Sequence, residues 1–480
     1  MILVNFKKNF GLILVLILSF WAIKPLFIAG FFPMHDDTQV ARVYEMGKML
    51  SSGVFPVRWV PDLGYGYGYP IFNFYAPLAY YVGGIFVLLG FDAFTGTKIM
   101  MALGVIPAGV FMYFLARKFF GELGGIVSGL FYVYAPYHAV DIYVRGDVAE
   151  FWAYAFIPLA FLGIYKRSIL IGSIGFAAII LSHNLTALMV TPFILIAVLL
   201  NCYIAFKNKK SFIINHQSLI LLLGLTLSAF YWIPALTEMK YTNILSQIGG
   251  GADFRSHFVC IGQLWDSTWG FGGSAAGCID GLSFKIGKLH ILGSLLAVIL
   301  VIFYSKFARI KKIVVFSVVG FIISVFLTLE VSKFLWETIP VMAFFQYPWR
   351  FLILASFFSS ILAGSLVYLS KQFEIKPYLV MVLLIFFLLF FNVKLFVPQT
   401  ILHKTAADYT SEYALKWTAS KISDEYLPPN FKKPKSEHEI AEKPLPFKET
   451  AIEKTSNLVS LIGILALIIG IIARYGKNKR

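Results

Sequence analysis

The chain has 480 residues, 59% of them hydrophobic and only 14% charged, with a formal net charge of +16. That length normally suggests several soluble domains of about 100–200 residues each, but 48 Phe, 25 Tyr and 9 Trp leave more apolar surface than soluble folds bury. A soluble protein is therefore excluded, and so apolar a chain also excludes nucleic acid as the partner of the positive charge. Three cysteines are too few for a disulfide framework or a cysteine-rich metal site.

A helix that crosses the hydrocarbon needs about 20 mostly apolar residues, because its backbone must satisfy its own hydrogen bonds. Such runs occupy 10–32, 71–90, 99–116, 122–138, 151–165, 168–182, 186–206, 218–237, 288–305, 313–329, 349–369, 377–393 and 458–474. They predict an all-α polytopic membrane protein of about 12–13 transmembrane helices. The first run reads as an anchor: it is too long for a signal peptide, lacks a small-residue cleavage site and leads into more membrane.

Lys and Arg in short connections favour the cytoplasmic side. The relevant clusters are Lys7–Lys8, Arg117–Lys118, Lys166–Arg167, Lys207/Lys209/Lys210, Lys306/Arg309/Lys311/Lys312, Lys371/Lys376 and the tail Arg474/Lys477/Lys479/Arg480. All lie inside only if one of the first three runs does not span. Run 71–90 is the candidate, since it holds Pro77, Gly83, Gly84 and many rings, and no basic residue follows it until Lys98. It is predicted to be interfacial or re-entrant, leaving twelve crossings with both termini cytoplasmic. Of the 25 acidic residues, only Glu122 and Glu374 then face inward. The net charge is thus an orientation signal, compatible with an inner-leaflet contact to anionic lipid, and the carboxylates lie outside.

On this topology residues 1–393 form a transmembrane region with outer loops 33–98, 138–150, 238–287 and 330–348. Residues 394–457, rich in Lys, Glu and Pro, read as a loosely ordered extracytoplasmic loop or small subdomain. Residues 458–480 supply a last helix and a basic tail.

Ionisable groups near a membrane are costly, so their clusters carry information. His35, Asp36 and Asp37 follow the first span directly, and TQVARVYEMGKMLSSG then recurs with helical spacing at Val40, Val43, Tyr44 and Leu50. One acid suffices to cap that helix, which leaves the other for a base or a metal ligand. The Gly/Tyr alternation of 64–70 is not a nucleotide fingerprint; it reads as an aromatic loop able to stack on a sugar or lipid head.

Asp141, Arg145, Asp147 and Glu150 form a second cluster between apolar runs. Asp147 and Glu150 share a face if helix begins there, or serve as its N-cap and capping box. His183 sits at a helix end, where a satisfied interfacial histidine is the bland alternative. Gln346 and Arg350 open another helix; Arg350 suits a lipid phosphate or simply snorkels to headgroups. Cys260 and Cys278, 18 apart in one outer loop, can pair outside the reducing cytoplasm or remain thiols.

This layout resembles the GT-C superfamily of membrane glycosyltransferases. More closely, HDDTQVARVYEMGKMLSSGVFPVRWVPDLGYGYGYPIFNFYAPL, YVRGDVAE, SHNLTAL and FQYPWRF look like a prokaryotic membrane family labelled 6-pyruvoyl-tetrahydropterin synthase-related. The label implies a zinc enzyme, and no trio of histidine ligands is evident. The GT-C resemblance, over roughly 10–370, implies a helical bundle with interfacial helices in the first outer loop. It also implies transfer of a sugar from a polyprenyl-phosphate donor to an extracytoplasmic acceptor.

Carried over by position, the essential carboxylate is Asp36 or Asp37, and the second acid is Asp147 with Glu150. His35, Arg145, His183, Gln346 and Arg350 are the substrate-binding candidates. A divalent cation held by Asp37, Asp147 and Glu150 is compatible with their oxygens but is not required. The partners expected are membrane lipid and the lipid-linked donor; no protein partner is indicated. The rival readings are a lipid or polysaccharide transporter or flippase, for which mid-span charges are nearly absent, and a non-catalytic membrane assembly protein.

Overall fold

A computed structural model describes residues 2–207, 216–304 and 308–477. Among the basic positions used for orientation, Lys209, Lys210, Lys306, Lys479 and Arg480 lie outside the described residues. So do the side chains of Lys7, Lys8, Lys207, Arg309, Arg474 and Lys477. The protein is all-α and polytopic: eight helices among the described residues are long and apolar enough to cross a membrane, or nine if Gln217–Leu227 and Ala229–Tyr241, bent by 67°, count as one.

The apolar runs become helices, with differences that have local causes. Runs 99–116 and 122–138 lie in one stretch, Ala93–Val133, interrupted at Gly121, where a φ of 79° cannot continue a helix. Leu78–Leu88, Ile169–Ser182 and Lys288–Phe303 are apolar but shorter than a full crossing. Run 71–90 splits into Ile71–Phe74 and Leu78–Leu88, parted by Tyr75–Pro77. At 1.5 Å per residue the longer piece covers only about 16 Å of a hydrocarbon layer about 30 Å thick, so this run forms no continuous spanning helix.

By their internal packing the residues form two compact units: Met1–His35, Ala102–Asp147 and Ile248–Leu402 in the first, and Asp36–Met101, Val148–Gln247 and His403–Arg480 in the second. This division is unlike the sequential one expected from the polarity of 394–457.

In the first unit the helix Leu352–Leu369 is buried along almost its whole length. Polar side chains tie the surrounding segments to backbone carbonyls. Tyr143 Oη donates to Ala22 O at 2.7 Å, and Asn392 Nδ2 donates to Tyr134 O at 2.8 Å. Each satisfies a group that burial would otherwise penalise.

In the second unit, Val148–Lys166 and Ile169–Ser182 are joined through Arg167 and Ser168, whose hydroxyl accepts from Ile171 N. Its other half bears on two expectations. The segment after 403 is packed over 407–427: Tyr409, Leu415, Ala419, Tyr426 and Leu427 are buried, and short helical turns run through 407–422. It also covers the Gly/Tyr run, which is therefore not an open stacking surface. Tyr65 N donates to Ser420 Oγ at 3.0 Å, Ala441 N donates to Tyr65 O at 3.0 Å, and the Tyr65 ring stacks on Phe431.

The buried Arg58 guanidinium donates to Asn73 Oδ1 and Asn457 Oδ1, and Glu238 accepts from Asn73 and Thr450. The first loop is thus locked to the final helix by hydrogen bonds between residues almost 400 positions apart.

Candidate functional site

The acid pair sits in a turn between the first helix and Gln39–Ser51. Thr38 occupies the N-cap position, and no side chain caps the helix. The expected capping duty therefore falls on neither Asp36 nor Asp37. Both are half-buried. Burial raises the Asp37 carboxyl to about 6, and nearby Lys404 offsets part of that rise. Lys404 lies over the ring of the buried Tyr409 at 4.7 Å. A carboxyl that changes protonation near neutrality is suited to accept a proton.

Two turns along the same helix, Glu45 is fully buried and its Oε1 has no hydrogen-bond partner among the described residues. Burial, reinforced by Asp62, raises its pKa to about 8, while Asp62 itself is paired with Lys48. Sequence reasoning missed Glu45, because on an amphipathic helix it looks like one more polar position. The signal available was its place one turn after Arg42, on the side of the helix away from Val40 and Val43, where an acid and an arginine recur together. Arg42 is buried as well, its guanidinium 4.4 Å from the Tyr75 ring centroid and bonded to Tyr80 and Ser423.

Glu150, in the first turn of Val148–Lys166, is fully buried. Ligand atoms of Glu150 and His183 lie within 4.8 Å of one another. His183 is an extended residue between Ile169–Ser182 and Asn184–Lys207, and its Nδ1 hydrogen-bonds with Thr186 Oγ1 at 2.8 Å. A metal-binding role would thus fall to Glu150 with His183. Among the described residues Asp37 joins no group of three or more ligand-type side chains.

In the first unit the second cluster is fully assembled. Pro136–Val140 runs into a π turn at Asp141–Arg145, and Gly146 then reverses the chain with a φ of 62°. A β-carbon at 146 would also meet Met34 Cβ at 2.6 Å, so glycine serves both conformation and packing. The turn folds Arg145 onto two carboxylates: it pairs with Asp141, and Nη2 donates to Asp147 at 2.6 Å. Its Nη1 donates to Tyr137 Oη at 3.2 Å, and the guanidinium lies 4.7 Å from the Trp349 ring centroid.

Arg350 approaches Asp147 at 3.9 Å and donates to Phe345 O and Gln346 Oε1, each at 3.3 Å. Gln346 holds a φ of 63°, a conformation that non-glycine residues rarely adopt. Asp147 thus serves two arginines, which suits an orienting anion better than a base, and Gln346 orients Arg350. His35 is exposed, with Nε2 within 3.3 Å of Phe271 O. His138 is buried and its Nδ1 donates to the Val133 carbonyl at 2.8 Å, and burial lowers its pKa to about 4. The Cys260–Cys278 pair, open on sequence alone, forms a disulfide.

Residues 72–247 match the model of a family described as 6-pyruvoyl-tetrahydropterin synthase related domain, membrane protein. The match includes Glu150 and His183 but stops short of the acid pair and of Arg350. An uncharacterized protein of Lactococcus lactis subsp. cremoris (strain MG1363) is 25% identical over 252 residues, 49% of this chain and 41% of that protein. Two solved structures are similar at low identity. The apo oligosaccharyltransferase of Archaeoglobus fulgidus has a TM-score of 0.44 at 14% identity, over 88% of this chain and 57% of that one. ArnT from Cupriavidus metallidurans, bound to undecaprenyl phosphate, has a TM-score of 0.49 at 11% identity, over 86% and 77%. The chain therefore spans less than two thirds of the length of the first relatives it matches.

Proposed function

We propose that the protein is a membrane glycosyltransferase of the GT-C type, moving a sugar from a polyprenyl-phosphate donor to an acceptor hydroxyl outside the cytoplasm. The observation that carries this reading is the half-buried acid pair directly after the first helix. The N-cap position belongs to Thr38 and to neither acid, and one of the pair, Asp37, is held near 6.

Asp37 is assigned the base. It takes the proton of the acceptor hydroxyl as the oxygen attacks the anomeric carbon, and the polyprenyl phosphate departs with the electron pair of the broken bond. Arg145 and Arg350 are assigned to the phosphate, whose growing charge guanidinium groups match bidentately. Asp147 orients those arginines. Glu150 and His183 bind substrate, or a divalent cation where one is used; the transfer itself needs none. Cys260–Cys278 supports an extracytoplasmic placement of its loop, because the cytoplasm keeps thiols reduced. With the basic connections inside, both termini then face the cytoplasm.

The test is transfer by the purified protein from a panel of undecaprenyl-phosphate-linked sugars, with Asp36→Asn and Asp37→Asn compared. Loss of transfer in Asp37→Asn with normal expression supports the assignment. Full activity in both variants overturns it.

A further inference from the structure

The disulfide-closed loop does more than join two strands of chain. Its Ser274 joins Trp349, His257 and Gly251 in a hydrogen-bond chain that runs in one direction. Trp349 Nε1 donates to Ser274 Oγ at 3.2 Å. Ser274 Oγ lies 2.7 Å from His257 Nδ1, and His257 Nε2 lies 3.0 Å from Gly251 O. The Gly251 carbonyl can only accept, so Nε2 carries the proton and Nδ1 accepts from the serine hydroxyl. Each donor and acceptor is then used once, which is the condition for a half-buried polar chain to fix its members rather than loosen them.

The end of the chain is an aromatic platform. Trp349 is buried, stacked on Tyr347 at 4.9 Å and on Phe284 at 5.9 Å. Its ring carries the Arg145 guanidinium at 4.7 Å. The same loop is pinned at its base by Cys260–Cys278 and by Asp280, which accepts from Gln263 Nε2 at 2.6 Å and Ala275 N at 2.8 Å. None of Ser274, His257 or Asp280 stands out in the sequence, where the loop shows only its cysteines and glycines.

We propose that Ser274 and His257 are positioning residues that fix Trp349 beneath Arg145, making the Cys260–Cys278 loop a brace for the anion-binding arginine. A guanidinium on a fixed ring has less freedom to lose when it meets a phosphate. The brace therefore acts on donor binding and leaves the proton transfer at Asp37 untouched. This rests on the reading of Arg145 as the phosphate ligand.

The test compares Ser274→Ala, Ser274→Thr, Trp349→Phe and the double variant Cys260→Ser/Cys278→Ser with wild type. Losing one hydrogen bond in the chain is expected to raise the KM for the undecaprenyl-phosphate donor about three- to tenfold, with kcat and acceptor KM unchanged. Ser274→Thr, which keeps the hydroxyl, restores the wild-type KM. In parallel, phenylglyoxal labelling of Arg145, read by peptide mass spectrometry, is expected to rise in Ser274→Ala and in the double serine variant but not in Ser274→Thr. Wild-type labelling of Arg145 in Ser274→Ala overturns the proposal. The labelling needs no turnover, so an absence of transfer in the wild type counts against the glycosyltransferase reading and leaves this result to stand or fall separately.

Discussion

The two units handle buried charge in opposite ways. In the first, Asp141, Asp147, Arg145 and Arg350 lie within contact of one another and leave no net charge. In the second, Asp37 is half-buried and Glu45 fully buried; Lys404 offsets the one, Lys48 and the Asp62 N–H the other, yet burial wins and both titrate above ordinary carboxyls. The first arrangement stores fixed charge, which suits holding an anion. The second stores a readily exchanged proton, which suits taking one from a substrate.

The largest effect expected from breaking this contrast is Arg145→Met. It leaves Asp141 and Asp147 buried beside one uncompensated site, and removing one partner of a buried pair costs about 3–5 kcal/mol. A lowered melting temperature in detergent, together with early elution as aggregate, is the expected outcome. Stability equal to wild type would show that the acids are not held ionised.

Next comes Asp37→Asn, for which transfer is expected to fall by about 10²–10⁴ if Asp37 is the general base. A base works ionised, so wild-type turnover rises with pH through about 6, where Asp37 titrates. A flat profile between pH 5 and 7 would move the base elsewhere.

Glu150→Gln keeps the shape and removes the charge. A loss of about tenfold in kcat is expected from removing the charge near His183, checked by the same transfer assay. The smallest effect separates the two carboxyls of the second unit. Glu45 has a folded pKa of about 8, above the ordinary 4.5. The folded state therefore binds a proton more tightly than the unfolded chain does, and stability is full below about 4.5 and falls as pH rises through 8. Glu45→Gln stays neutral, so its melting temperature is expected to vary less across pH 5–9 than that of wild type, with transfer little changed.

Much of this was legible beforehand, and the gaps have physical causes. The long apolar runs announced their helices because a membrane helix needs only length and apolarity. The breaks at Gly121 and Tyr75–Pro77 depend on single dihedral angles and lie within otherwise uniform runs. The clusters at His35–Asp37 and Asp141–Glu150 stood out because acids are scarce here. Their pairing did not: the π turn and Gly146 bend Arg145 onto Asp141 and Asp147, and no spacing rule anticipates that. Glu45 was hidden because amphipathic periodicity says which face a residue shares, and not how deeply that face is covered. The packing of residues beyond 403 on Tyr65 and Tyr69 was hidden too, since their polar composition reads as solvated when their partners are some 350 positions away in the chain.

That distance has a consequence for biogenesis. The loop that follows Asp37 is made early in synthesis, yet Tyr65, Tyr69 and Arg58 gain their partners Ser420, Tyr426 and Asn457 only when synthesis has passed those positions, more than 350 residues later. A nascent chain inserted through residue 395 already owns its acid pair but leaves the neighbouring polar groups unmatched. The packing of the first loop thus waits on residues 420–457, and until they are in place its aromatic and polar groups stay exposed.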